Sequence, residues 1–188
     1  MADSSLNVTQ ALDSPEKFIK LKDNGDGTYA LVTADHRDFL FTGYQFTYSE
    51  VTDLGSAAVR DVLFVTPNTL LWAYLSVTVQ TEAEADYKLY EGPTTTGDGT
   101  ACTEHNKNRG SAITATSVVT HTPTIAGGSE GTLLATKHWG AGKGSGGGSV
   151  PAEEWLLKAN TKYLIRVTNA TTSANQVNII LDWAEHLG

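Results

Sequence analysis

Apolar positions in this chain recur at every second residue, most clearly toward its end. Tyr163, Ile165 and Val167 alternate with Leu164, Arg166 and Thr168, and Val177, Ile179, Leu181 and Trp183 alternate with Asn178, Ile180 and Asp182. Successive side chains of a strand point to opposite faces, so a period of two predicts half-buried strands. The short polar stretch 169–175 between the two runs predicts that they pair as an antiparallel unit with one dry face. Further strands are predicted over residues 44–51, 59–66, 70–80, 86–91, 112–120, 132–139 and 155–157. A set of eight or nine strands suits a jelly roll or a related sandwich. The expected fold is therefore all-β: a jelly-roll-like antiparallel β-sandwich preceded by an N-terminal arm and a β-hairpin.

Within the 70–80 run, Leu71, Ala73, Leu75, Val77 and Val79 share one face, while Leu70, Trp72, Tyr74, Ser76 and Thr78 share the other. The second face starts apolar and turns polar. Adjoining aromatics are rarely left in water, which predicts that another element or another subunit covers Trp72 and Tyr74. Those two residues are the candidate oligomer interface.

The first 16 residues are polar and weakly patterned, with a turn signal at Ser14-Pro15, and read as an arm. Two short apolar runs, 18–22 and 28–32, flank Asp23-Asn24-Gly25-Asp26-Gly27, residues that tolerate the positive φ of a tight hairpin. A calcium loop starting at Asp23 fails on spacing, because Gly25 and Ala34 fall where its third and twelfth positions need oxygen ligands. A charged link, Asp35-His36-Arg37-Asp38, leads into the main body. The expected division is 1–38 for arm and hairpin and 39–188 for the sandwich. Residues 92–110, polar and rich in Thr, Asn and Gly, and residues 140–149, almost wholly Gly and Ser, read as loops, the second of them projecting.

Length and charge narrow the function. A chain of 188 residues holds one sizeable β domain plus an extension. Its net charge of -8, with no cluster of Lys and Arg, argues against binding along a phosphate backbone. The single Cys102 excludes an intramolecular disulfide, and no cationic neighbour in sequence favours its thiolate. The N-terminus lacks the basic start and apolar run of a signal peptide, and no segment is apolar for the roughly 20 residues of a membrane span, so the protein is expected to be soluble and made in a cytoplasm. On that expectation the sequons at Asn7 and Asn169 are chance matches.

Tests for chemistry return little. Gly142-Lys143 fails as a phosphate loop, since Lys137 and Gly144 stand where Gly and Ser or Thr are needed. His36, His105, His121, His138 and His186 are dispersed, without metal-ligand spacing. Glu82, Glu84 and Asp86 would share a face of an extended segment, as a metal site or glycosidase pair could, but read more simply as a hydrated turn. No Gly-x-Ser-x-Gly elbow is present. No enzyme activity, cofactor or metal is expected. Exposed aromatics leave a binding alternative: Trp139 and Trp155 flank the glycine-rich segment and, with Arg109 in the 106–109 stretch, could form a sugar-stacking rim, while Trp155 also begins an apolar run suited to core or interface.

The segment Asp23-Asn24-Gly25-Asp26-Gly27-Thr28-Tyr29 followed by Ala30-Leu31-Val32 resembles a phrase found in tailed-bacteriophage structural proteins. The block Glu154-Trp155-Leu156-Leu157-Lys158, with residues 160–169 and the ending Leu181-Asp182-Trp183-Ala184-Glu185-His186, is similar to head decoration, or cement, proteins of such phages. The resemblance implies a jelly-roll-like body, made in the bacterial host, that self-associates, as a trimer rather than a dimer, on the outside of a capsid and bridges major capsid protein subunits. It implies no nucleic-acid or membrane partner. Capsid contacts are then expected in the region Leu6 to Arg37, through Leu6, Val8, Phe18, Ile19, Leu21, Tyr29 and Arg37. The alternative is a carbohydrate-binding sandwich using Trp139, Trp155 and Arg109.

Overall fold

The structure is a computed structural model that describes residues 20–23, 29–32, 36–140, 148–149 and 153–187. The chain divides into two compact units, Met1–His36 and Arg37–Gly188. In the first, β1 (Lys20–Asp23) and β2 (Tyr29–Val32) pair antiparallel, with Lys20 opposite Val32 and Asp23 opposite Tyr29. The Asn, Asp and Gly residues expected to make the turn lie between these strands.

The second unit is nearly all strand. After a short helix, α1 (His36–Thr42), come β3 (Gln45–Leu54), β4 (Val59–Val65), β5 (Leu70–Thr81), β6 (Ala85–Glu91), β7 (Thr95–Gly97), β8 (Thr100–Ala101), β9 (His105–Asn106) and β10 (Val118–His121). These are followed by β11 (Thr124–Ile125), β12 (Thr132–Trp139), β13 (Gly148–Ser149), β14 (Glu153–Leu157), β15 (Lys162–Asn169) and β16 (Asn175–Leu187). One sheet has the order β12-β6-β15-β4-β10-β8; the other runs β5-β16-β3-β9, with β13 and β14 both lying along β5 at its edge. Setting aside the strands of residues 92–131 and the short β13 leaves two four-stranded sheets, β12-β6-β15-β4 and β14-β5-β16-β3. In chain order β3, β4, β5 and β6 alternate between the sheets, as do β12, β14, β15 and β16. This is the double Greek-key order of a jelly roll.

That order corrects the expectation for the chain's end. β15 and β16 do not pair with each other: β15 lies between β4 and β6, while β16 lies between β3 and β5. Each strand already has a partner on both edges, so the 170–174 connection carries the chain from one sheet to the other. Period-two patterning reports which face is dry, and in a sandwich the dry faces of consecutive strands meet across the core as readily as within a sheet.

The core is the interleaved inner faces. Trp183 is fully buried with its ring 5.8 Å from Phe46 and 5.3 Å from Phe64, joining β16, β3 and β4. Val177, Ile179 and Leu181 extend its row, facing Val62, Leu89, Tyr163, Ile165 and Val167 from the opposite sheet. Burying each large apolar side chain stabilises by about 1.5–3 kcal/mol, so this face accounts for the position of both long terminal strands.

Three other expectations change. The charged link after residue 35 opens a helix, one too short to show a helical period in the sequence. The strand expected over 112–120 is confined to β10, because Glu185 captures the preceding backbone. The third concerns 92–110, expected as a loop: it contains the short strands β7, β8 and β9 and, together with the residues up to 131, is packed down. Lys162 Nζ reaches Asp98 at 2.6 Å and Thr95 Oγ1 at 2.7 Å, and Arg166 Nη1 reaches Glu130 at 3.2 Å. Lys162, Leu164 and Arg166 share the outer face of β15, where Leu164 and its cross-strand neighbour Leu63 are completely buried although they lie outside the main core. Residues 92–131 thus cover the outer face of that sheet. Gly131, at φ +92°, permits the final approach: a Cβ there would run into the Glu91 carbonyl.

Candidate interaction surface

The outer face of the other sheet carries no comparable cover among the described residues. The pairing registers place its side chains in rows: Leu156, Tyr74, Ala184 and Gln45 in one, Trp72 and His186 beside it, and Glu154, Ser76, Asp182 and Thr47 on the other side. The next rows are Thr78, Ile180 and Ser49, then Gln80, Asn178 and Val51. One end of the face is aromatic and the other mostly polar, although Val51 stands exposed among its Thr, Ser, Gln and Asn residues. This matches the change of character expected along β5, and the structure identifies part of the cover: Phe39 of α1 meets Trp72 edge-on at 5.4 Å, and His186 stacks on Trp72 at 5.0 Å. Asn106 and Asn108 hold the end of the helix by donating to the Gly43 and Phe41 carbonyls at 2.7 and 3.1 Å.

Tyr74 lies past this cover. Burial and then its hydrogen bond with Glu154 push its hydroxyl up to about 12, so it stays protonated at physiological pH. Leu156, directly opposite Tyr74, is 69% exposed, and Phe41 on α1 is 75% exposed. Trp72 and Tyr74 are thus neighbours, with Trp72 sheltered from within and the Tyr74–Leu156 row facing outward.

The two seams where the sheets meet are built alike. At one, Glu50 of β3 faces Arg60 of β4; the Arg60 Nε–Glu50 Oε1 distance is 2.7 Å, a second guanidinium nitrogen reaches Oε2, and the Tyr48 hydroxyl donates to Oε2 at 2.8 Å. Burial pushes the Glu50 carboxyl up, but the hydrogen bonds from Arg60 and Tyr48 outweigh it and hold the group below its usual range. Cys102 sits beside Tyr48, and burial pushes its thiol up, away from the reactive thiolate. At the other seam, Glu153 of β14 pairs with Lys137 of β12 at 2.6 Å. Tyr87 lies opposite Lys137, with Trp139 edge-on at 6.5 Å. Burial, and then the charge of Glu153, raise the Tyr87 hydroxyl strongly. Among the described residues the bonding here is incomplete: Trp155 Nε1 is buried without a partner, and Tyr87 and Glu153 interact with each other short of normal hydrogen-bond geometry.

The candidate site residues scatter accordingly. Leu6, Val8, Phe18 and Ile19 lie outside the described residues. Leu21 and Tyr29 fall on β1 and β2, and Arg37 on α1. Trp139 and Trp155 are both at the β12–β14 seam, packed against the core rather than standing free on a rim. Arg109 is not with them. It is exposed just after β9, at the opposite edge of the sheet from β14, with Nη1 3.5 Å from the Asn106 carbonyl.

Residues 82–84 form the expected turn, fixed by Asn175, which accepts from the Ala83 N–H at 3.0 Å and donates to the Glu84 carbonyl at 3.1 Å. His138 joins this turn, a partner that lay hidden because 52 residues separate it from Asp86. Asn169 of the second sequon is buried, its amide donating to the Leu54, Gly55 and Ser173 carbonyls. Among the described residues no group of three His, Cys, Asp or Glu could hold a metal ion, and no helix is long and apolar enough to cross a membrane. No protein-family model, curated protein or solved structure matches this chain.

Proposed function

We propose that the protein is a structural virion component that binds the outer surface of an assembled phage capsid and stabilises it by bridging major capsid protein subunits. The observation that carries this reading is the aromatic end of the outer face of the β5 sheet, where α1 shelters Trp72 and Leu156 stands exposed opposite the half-buried Tyr74. Large aromatic and aliphatic residues clustered at one end of an otherwise polar face suit contact with a protein, including another copy of this chain. The separate hairpin unit supports the second half of the reading, since a short strand pair can add to a sheet edge on a partner. In this arrangement the Tyr74–Leu156 row joins copies, a trimer being preferred, and the 1–36 unit engages capsid.

Sedimentation with assembled capsids tests it. The full chain should pellet with capsids and raise their resistance to heat. Deleting residues 1–36 should leave a folded body that no longer pellets, and Leu156→Lys should reduce the oligomer to monomer. Capsid binding unchanged by the deletion would remove the role of the first unit.

A carbohydrate-binding role is the second reading, and the β12–β14 seam favours it. Trp139 and Trp155 stand there half-buried, and the indole Nε1 of Trp155 has no hydrogen-bond partner among the described residues. Titration with host polysaccharide should then quench tryptophan fluorescence saturably in the parent protein and not in Trp139→Ala; a flat titration counts against it.

A further inference from the structure

We propose that His138 is a pH-responsive latch that fastens the end of the edge strand β12, and with it Trp139, to the sheet in its protonated form and releases it on deprotonation. Both ring nitrogens face carboxylates: Nδ1 is 2.8 Å from Asp86 Oδ1, and Nε2 is 3.3 Å from Glu84 Oε1. An ionised carboxylate only accepts, and a neutral imidazole has one N–H, so only the imidazolium satisfies both contacts. The same pairing raises the proton affinity of His138, through the hydrogen bond to Asp86 first, against a smaller desolvation, and then through the charges of Asp86 and Glu84.

The groups facing His138 come from few elements. Among the described residues β12 is the edge of its sheet and pairs with β6, which presents Asp86 directly opposite and Lys88 opposite Thr136, one position along that face. The turn before β6 presents Glu84, and the next strand, β15, carries Thr168 and Arg166 on this face, the latter engaged by Asp61 and Glu130. Two carboxylates therefore dominate.

The fastening acts on a part of the strand that has other ties. Lys137 reaches across the seam to Glu153, and Trp139 packs on Tyr87. Of the three consecutive residues, only histidine changes charge near neutrality. Glu84 is a firm anchor, since its carbonyl accepts from the Asn175 side chain at 3.1 Å and from the Ala170 N–H at 3.1 Å. The sign follows from the raised affinity: the contribution is fully present below the ordinary histidine value of 6.5 and is lost as pH rises through the folded-state value.

NMR on the full chain tests this in two measurements. The His138 ring should titrate above 6.5, and closer to that value in Glu84→Gln/Asp86→Asn. Amide exchange at residues 136–139, corrected for its intrinsic pH dependence, should lose protection across the same interval, roughly tenfold for each pH unit by which the ring titrates above its ordinary value. In His138→Gln, an exposed substitution, protection should stay flat with pH. A ring titrating at or below 6.5, or a loss of protection that persists in His138→Gln, overturns the proposal.

Discussion

At the scale of single residues, stability is concentrated in polar groups whose partners come from distant parts of the chain. Glu185 is 1% exposed and accepts from the Thr116 and Ser117 N–H groups at 2.9 and 2.8 Å, from Thr116 Oγ1 at 2.6 Å and from Trp183 Nε1 at 3.1 Å. Glu185→Leu should cost about 2–4 kcal/mol in urea unfolding, because it orphans several buried donors at once. The Glu50–Arg60 pair predicts a pH effect. Its carboxyl is held below the unfolded value of 4.5, so its stabilisation is present above that value and disappears as pH falls through the folded-state value. Arg60→Met should cost about 2–4 kcal/mol at pH 7 and flatten the acid limb of stability against pH, as read by denaturant melts from pH 3 to 7.

At the scale of elements, the decisive arrangement is how residues 92–131 lie on the sheet of β15. Their hold depends on Gly131 having no side chain: Gly131→Ala should cost about 1–3 kcal/mol. Gly128, also at positive φ (+71°) but with open space around it, is the control, and Gly128→Ala should cost only about 1 kcal/mol. Thermal unfolding of the two variants separates backbone conformation from steric exclusion. The helix α1 is held partly by one aromatic contact, so Phe39→Ala should expose Trp72 to water and shift tryptophan emission to the red while the sandwich stays folded.

For the whole molecule, the asymmetry between the two outer faces matters most. One is covered by residues 92–131, and the other leaves Leu156 exposed at the end of its row, beside a half-buried Tyr74. If that row joins copies of the chain, Leu156→Lys should lower the sedimentation coefficient and leave the fold of the single copy intact, because within one copy the side chain is in water. The sandwich edges also differ in their protection. β12 is irregular between Leu133 and Ala135 and carries Lys137, features that discourage pairing with another sheet. The edge of β14 is shorter, with Glu153 and Glu154 at its start.

What the sequence determined by itself is local and periodic: the all-β class, the dry face of nearly every long strand, the two strands β1 and β2, and the turn before Asp86. Each follows from side-chain alternation or from the backbone freedom of particular residues, which neighbours in the chain suffice to specify. The tertiary structure alone decided which strands pair. β15 and β16 were assigned to different sheets because their edges were better filled by β4, β6, β3 and β5, and nothing in either strand's own pattern names its partner. Residues 92–110 read as a loop because their hold on the sheet, through Lys162 on Asp98 and Thr95, is polar and leaves no hydrophobic period. The candidate surface divides the same way. Trp72 and Tyr74 were legible as aromatics in need of cover, whereas Phe39, His186 and Leu156 joined them only through the fold. His138 met Glu84 and Asp86 for the same reason: hydrogen bonds between remote segments leave no trace in local spacing.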